Sequence, residues 1–248
     1  MSPVTLGFLG SLIAGLMTAL GALPALALHG EIPDKLMDML YGLAAGVMLS
    51  ASAFSLLTPA LELGSIWEVT LGFVAGSALI EASDRAIPHL HPIYGEEGPP
   101  SRLRRVWLLI LAMVIHNFPE GLAVGVAFGS GDFSGAVALT TAIGIQNVPE
   151  GLAVSAPLVR EGYGGLRAVL YSALTGLVEP IGGILGALAI SSARGALPAA
   201  MGLAAGAMIF VVSDEMIPES HRKGHERWAT LGVIAGFALM MLLDNMLA

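Results

Sequence analysis

A chain of 248 residues in which 55% are apolar and only 12% charged lies far from the balance of a soluble domain, where roughly a quarter of residues are charged. The absence of cysteine excludes thiolate metal ligands, disulfides and thiol nucleophiles, and a formal charge of -8, from 11 basic and 19 acidic residues, gives no footing for nucleic-acid binding. A mean hydropathy of +0.79 and repeated apolar windows of about 20 residues point to the lipid bilayer as the main solvent.

The first apolar segment, 3–28, lacks a basic flank, and its Ala/Gly/Pro texture matches the later ones, so a retained helix is expected and not a cleaved signal. The second and third, 36–61 and 66–87, place small residues four apart, Gly42 with Gly46 and Gly72 with Gly76, a spacing that lets helices approach closely. The longest polar connection, 88–102, holds His89, His91, Glu96 and Glu97 and is expected to be a loop, either a solvated linker or a transient source of metal ligands. The fourth segment, 103–128, carries Ile115-His116-Asn117-Phe118-Pro119-Glu120-Gly121 about halfway along. The fifth, 134–159, carries Gln146-Asn147-Val148-Pro149-Glu150-Gly151. The sixth, 166–190, has Glu179-Pro180 mid-span, and 197–219 and 226–247 complete a set of eight.

At about 1.5 Å per residue each segment can cross roughly 30 Å of hydrocarbon. Long uninterrupted apolar stretches do not fit the alternation of a membrane β-barrel. The sequence therefore predicts an all-α polytopic membrane protein with eight transmembrane helices in one domain, 1–248. With both termini outside, Lys35, Arg85, Arg102, Arg104, Arg105, Arg160, Arg167, Arg222, Lys223 and Arg227 face the cytoplasm, and of the 11 basic residues only Arg194 faces outward.

The chain also repeats itself. Tyr41 to Met48 matches Met201 to Met208, and Leu71 to Leu79 matches Leu231 to Leu239, both 160 positions on (41 to 201, 71 to 231). Helices 2 and 3 thus echo 7 and 8. Asn117 to Val124 matches Asn147 to Val154, 30 positions on (117 to 147). The mates run in opposite directions through eight spans, which predicts an inverted 3+2+3 repeat with Pro-interrupted helices at its interface, as in alternating-access transporters.

His116 and Glu120 are four apart, and Asn117 and Glu120 three apart, so one helical turn offers imidazole, amide and carboxylate. Pro119 has no amide hydrogen for the Ile115 carbonyl, which is expected to bend the helix locally. Helix 5 repeats the geometry with Gln146 in place of the histidine. Ionised carboxylates are costly in hydrocarbon, so Glu120, Glu150 and Glu179 are expected to turn inward and share a divalent cation. One site would use His116, Glu120, Gln146 and Glu150. A second would use Asn117, Asn147 and Glu179, with Glu120 and Glu150 bridging ions about 3.5–4 Å apart. Imidazole and carboxylate suit zinc, and without sulfur iron, manganese, cobalt or nickel also fit.

Glu81, Asp84 and His89 are placed near Asp214, Glu215, Glu219 and His221 as an exit path, and Asp244 near the outer end as an attractor of ions. Trp67, Trp107 and Trp228 read as interfacial anchors, Ser55, Thr140 and Ser213 as candidates for a polar passage, and the 12 methionines as core. A selective channel, an intramembrane metalloenzyme around His116 and a metal-sensing receptor are the competing functions; no His-Glu-x-x-His motif, nucleotide-binding loop or soluble output domain is visible.

On the two Pro-Glu-Gly motifs, Glu179-Pro180 and the eight spans, the chain resembles the ZIP family of divalent metal-ion transporters, in particular its bacterial members with glutamine in helix 5. The resemblance implies uptake of zinc, and often cadmium, iron or manganese, into the cytoplasm through a binuclear centre, with the metal as substrate and no obligatory cofactor. It also implies a transport unit of helices 1, 4, 5 and 6 moving against a scaffold of 2, 3, 7 and 8, in a homodimer in the inner membrane. Many eukaryotic relatives have histidine where Gln146 stands.

Overall fold

The computed structural model describes residues 1–27, 33–101 and 105–247; Leu28 and two of the predicted cytoplasmic cations, Arg102 and Arg104, lie outside them. Eight long helical segments carry the described chain: α1 (Pro3–Leu26), α2 (Asp34–Leu63), α3 (Ile66–Ala86), α4 (Arg105–Ser130), α5 (Phe133–Arg160), α6 (Gly165–Ser192), α7 (Leu197–His221) and α8 (Glu226–Leu247). Local chemistry sets several starts. The Ser2 hydroxyl accepts from Thr5 N–H ahead of Pro3, Ser65 and Glu68 form a reciprocal capping box, and Asp132 accepts from Gly135 N–H at 3.1 Å.

Among the described residues, seven of these segments are long and apolar enough to cross a bilayer. α5 is the exception, although at 28 residues it is the longest continuous helix. Gln146, Asn147, Pro149 and Glu150 lie in its middle and lower its hydropathy, so the segment that falls short does so because of its motif.

Packing separates centre from rim. The buried share of the apolar window is 72% in α4 and 22% in α3 and in α8. α2 packs chiefly on α8, α3 on α7 and α4 on α6, while α1 packs on both α5 and α6. Glycine makes the closest approaches: a methyl group at Gly42 or Gly46 would meet the carbonyl oxygens of Ala229 or Val233, and one at Gly202 or Gly206 those of Val69 or Phe73. These are one arrangement written twice, since adding 160 carries 42, 46, 69 and 73 to 202, 206, 229 and 233.

A second correspondence surrounds the centre. Gly151 packs on the Thr18 backbone and Gly21 on that of Val148, as Gly121 packs on Glu179 and Gly182 on Phe118. Here α5 maps on α4 (151 to 121) and α1 on α6 (18 to 179, 21 to 182). Gly15 and Gly176 face each other's carbonyl oxygens where α1 meets α6.

The interruptions fall elsewhere than predicted. α4 and α5 run unbroken through Pro119 and Pro149. α6 instead divides into Gly165–Gly176 and Glu179–Ser192, with Pro180 in the first turn of the second half, where a missing amide hydrogen costs least. α2 and α7 widen into π-helical turns at Ala51–Leu57 and Val212–Met216. The predicted loop at 88–102 contains an antiparallel hairpin of β1 (His89–His91) and β2 (Gly95–Glu97), with His89 opposite Glu97. Lys223 reaches Asp34 at 2.6 Å and His225 reaches Asp38 at 3.1 Å, and one cavity is lined by Tyr41, His91, Glu161, Glu219 and Arg222. These contacts gather the start of α2, the hairpin and the ends of α5 and α7 at one end of the bundle.

Candidate metal centre

The seven residues singled out by the motifs, His116, Asn117, Glu120, Gln146, Asn147, Glu150 and Glu179, are all fully buried. α4 and α5 each present their polar residues over a single turn. The glycine after each motif glutamate lets a third helix in: Gly121 admits the backbone of Glu179 on α6, and Gly151 that of Thr18 on α1.

His116 Nε2 stands 3.6 Å from Glu120 Oε1 and 3.6 Å from Glu150 Oε1, and ligand atoms of the three residues lie within 4.8 Å of one another. The Gln146 amide donates to Glu120 Oε1 at 2.5 Å. The Asn147 amide donates to Glu179 Oε1 at 2.6 Å and to the Ala14 carbonyl at 2.9 Å. The geometry thus has an imidazole half around His116 and an oxygen-and-amide half around Asn147 and Glu179.

Many buried polar atoms here have no hydrogen-bond partner among the described residues: both ring nitrogens of His116, both amide atoms of Asn117, both carboxylate oxygens of Glu150, Glu120 Oε2, Glu179 Oε2, Gln146 Oε1 and Asn147 Oδ1. Each buried polar group without a partner costs about 1–3 kcal/mol, and charged groups more. So dense a set fits side chains whose other ligand is a cation, and the donors are of the borderline and hard kinds that zinc-like ions accept.

The predicted exit cluster divides. Glu81 pairs with Arg85, the Arg222 guanidinium donates to both Glu219 oxygens at 2.9 Å, and His221 contacts Ser220 and Thr230. What remains together is Asp84, His89 and Glu97, with His89 Nε2 3.8 and 3.7 Å from the two carboxylates, and beside them His91 at 3.2 Å from Asp214. Glu215 departs from the exit group in another way: its Oε2 lies 4.0 Å from His116 Nδ1, behind the centre. At the opposite end Ser55 donates to Asp244 at 2.7 Å, beside a second cavity lined also by Ser130 and Asp132. Thr140 donates to the Ala136 carbonyl and Ser213 is exposed.

Sequence reasoning put α1 in the moving unit only through the family resemblance and named no α1 group at the centre. The Ala14 carbonyl is a backbone atom without a residue signature, and Thr18 is a lone hydroxyl in an apolar run. The one available signal was indirect: the glycine after each glutamate implies a close neighbour.

Comparison with known proteins follows the same residues. The family model described as ZIP zinc transporter matches 89–244, from the hairpin to Asp244. The zinc transporter ZIPB of Bordetella bronchiseptica is 49% identical over 93% of this chain and 77% of its own length. The chain belongs to the ZIP family. The zinc transporter GufA of Myxococcus xanthus is 41% identical over 96% of this ZIP chain and 97% of its own, and the human zinc transporter ZIP11 is 35% identical over 98% and 97%. ZIP proteins are multi-pass membrane transporters and not enzymes, so the metalloenzyme alternative falls away.

Proposed function

We propose that this ZIP protein carries zinc, and more weakly cadmium, iron or manganese, into the cytoplasm through a two-ion centre. The observation that carries this reading is the buried meeting of His116 Nε2 with Glu120 and Glu150 at 3.6 Å, in the span where water cannot solvate them. In the first position His116, Glu120, Gln146 and Glu150 bind the ion, the Gln146 amide turning its oxygen inward. In the second, Asn117, Asn147 and Glu179 join the two bridging glutamates. Neutral amide oxygens stand where sulfur ligands would hold the ion more tightly, a change in the direction that release requires.

All eight segments cross the inner membrane and both termini face outward. This orientation is supported by the basic residues gathered at the hairpin end. The cavity at that end reaches Glu215, which stands behind His116, whereas the lining of the cavity beside Asp244 includes neither Glu215 nor any of the seven motif residues. That asymmetry favours an inward-facing state. The two sets of glycine contacts support an inverted repeat and a division into a moving unit of α1, α4, α5 and α6 on a scaffold of α2, α3, α7 and α8; two such chains pair as a homodimer.

Zinc uptake into sealed vesicles is the test. E120A and E150A are each expected to lower the affinity of saturable uptake by about 10- to 100-fold. Unchanged saturable uptake in both overturns the reading. Recording internal pH while zinc, cadmium, iron and manganese compete gives the selectivity and any proton movement in one experiment.

A further inference from the structure

The centre is built on matched halves, yet its charge is not matched. Glu179 on α6 and Thr18 on α1 hold equivalent places: each backbone packs on the glycine that follows a motif glutamate, Gly121 for Glu179 and Gly151 for Thr18. Their side chains correspond as well. A methyl group at Gly15 would lie 3.3 Å from Glu179 Oε1, and one at Gly176 would lie 2.9 Å from Thr18 Oγ1, with Gly15 and Gly176 themselves an equivalent pair.

The next shell differs. Asn147 on α5 reaches Glu179 at 2.6 Å and the Ala14 carbonyl at 2.9 Å. Its counterpart on α4, Asn117, bonds no described residue through either amide atom. Thr18 is fully buried, and its hydroxyl also has no partner among the described residues, not even the Ala14 carbonyl one turn back, which Asn147 uses. A threonine oxygen sits on Cβ, two carbons nearer the backbone than a glutamate carboxylate, so Thr18 does not reach Asn117 as Glu179 reaches Asn147.

We propose that Thr18 is a metal-centre residue: its hydroxyl, with the Asn117 amide, binds the oxygen-ligated cargo ion of the second position, directly or through one of that ion's waters. Two buried, unpartnered polar groups on facing helices then find a common ligand. A neutral hydroxyl in place of a fourth carboxylate also limits the negative charge around two dications, which keeps the second ion exchangeable. The inference rests on the two-ion reading above.

The test is equilibrium binding of zinc and of manganese to purified protein in detergent, comparing T18V, T18A, T18S and E120Q with the wild type. T18V and T18A are expected to weaken the lower-affinity of two binding events by about tenfold, more for manganese than for zinc, and T18S to restore it. Wild-type binding of both ions by T18V overturns the proposal. So does T18S binding as weakly as T18A, a comparison that decides the matter if T18V fails to fold. E120Q separates the two readings: if it loses binding while T18V does not, only the role of Thr18 fails, and if E120Q also binds normally the two-ion centre itself fails.

Discussion

At the scale of single residues the centre turns on how many groups share His116. Its Nε2 lies 3.6 Å from two carboxylates, and its Nδ1 4.0 Å from a third, Glu215, in the direction of the cavity at the hairpin end. One imidazole between two carboxylates is a donor set that suits a borderline ion, and softer or harder neighbours would shift that balance. Gln146 is the lever, because its amide already touches Glu120. Replacing it by histidine adds a second imidazole to the same position. Q146H is expected to lower the KM for zinc by about tenfold and to lower turnover as well, since a tighter ion leaves more slowly. Uptake kinetics in vesicles measure both, and an unchanged KM would remove Gln146 from the ligand set.

At the scale of elements, packing depends on backbones meeting through glycine. A valine at Gly46 drives a branched side chain into the Val233 carbonyl, and one at Gly206 does the same at Phe73. Overpacking of this kind costs about 1–3 kcal/mol or more. G46V and G206V are therefore expected to reduce thermal stability to a similar degree, as corresponding positions should, and melting in detergent measures it. A large loss in one with none in the other would break the correspondence between the α2–α8 and α3–α7 contacts. Much of this was legible beforehand: the spacing of Gly42, Gly46, Gly72 and Gly76, its echo near the C-terminus, and the motif residues of α4 and α5. The rest was not, for physical reasons. Pro119 and Pro149 suggested interrupted helices, but a helix wedged among neighbours tolerates one lost hydrogen bond, and the break came before Glu179-Pro180. The hairpin was hidden because His89 and His91 look like solvent-seeking residues until Asp84 and Glu97, and Asp214 from far along the chain, are seen around them. The share of α1 in the centre depends on a carbonyl and a short hydroxyl, which no pattern of residue types announces.

At the scale of the whole molecule the open question is whether the ion moves with its helices or past them. Leu139 and Ile143 of α5 lie in one buried cluster with Val47 and Met48 of α2 and Met208 of α7, an apolar layer where the two groups of helices meet. A channel would need that layer to part enough for a hydrated ion. A carrier needs only that α1, α4, α5 and α6 slide along it, and a layer that is apolar on both sides, with no polar ligand for a hydrated ion, favours sliding over wetting. The chain has no cysteine, so an introduced pair is the sole thiol pair present. A cysteine on α2 and another facing it on α5 should form a disulfide across the layer under oxidation. For a carrier, oxidation is expected to abolish zinc flux and reductant to restore it, while zinc binding to the locked protein persists from the end that remains open. Flux that continues through the oxidised protein, with the cross-link verified by mobility on a gel, would mean that the ion passes a stationary centre, and the chain would then be a selective channel.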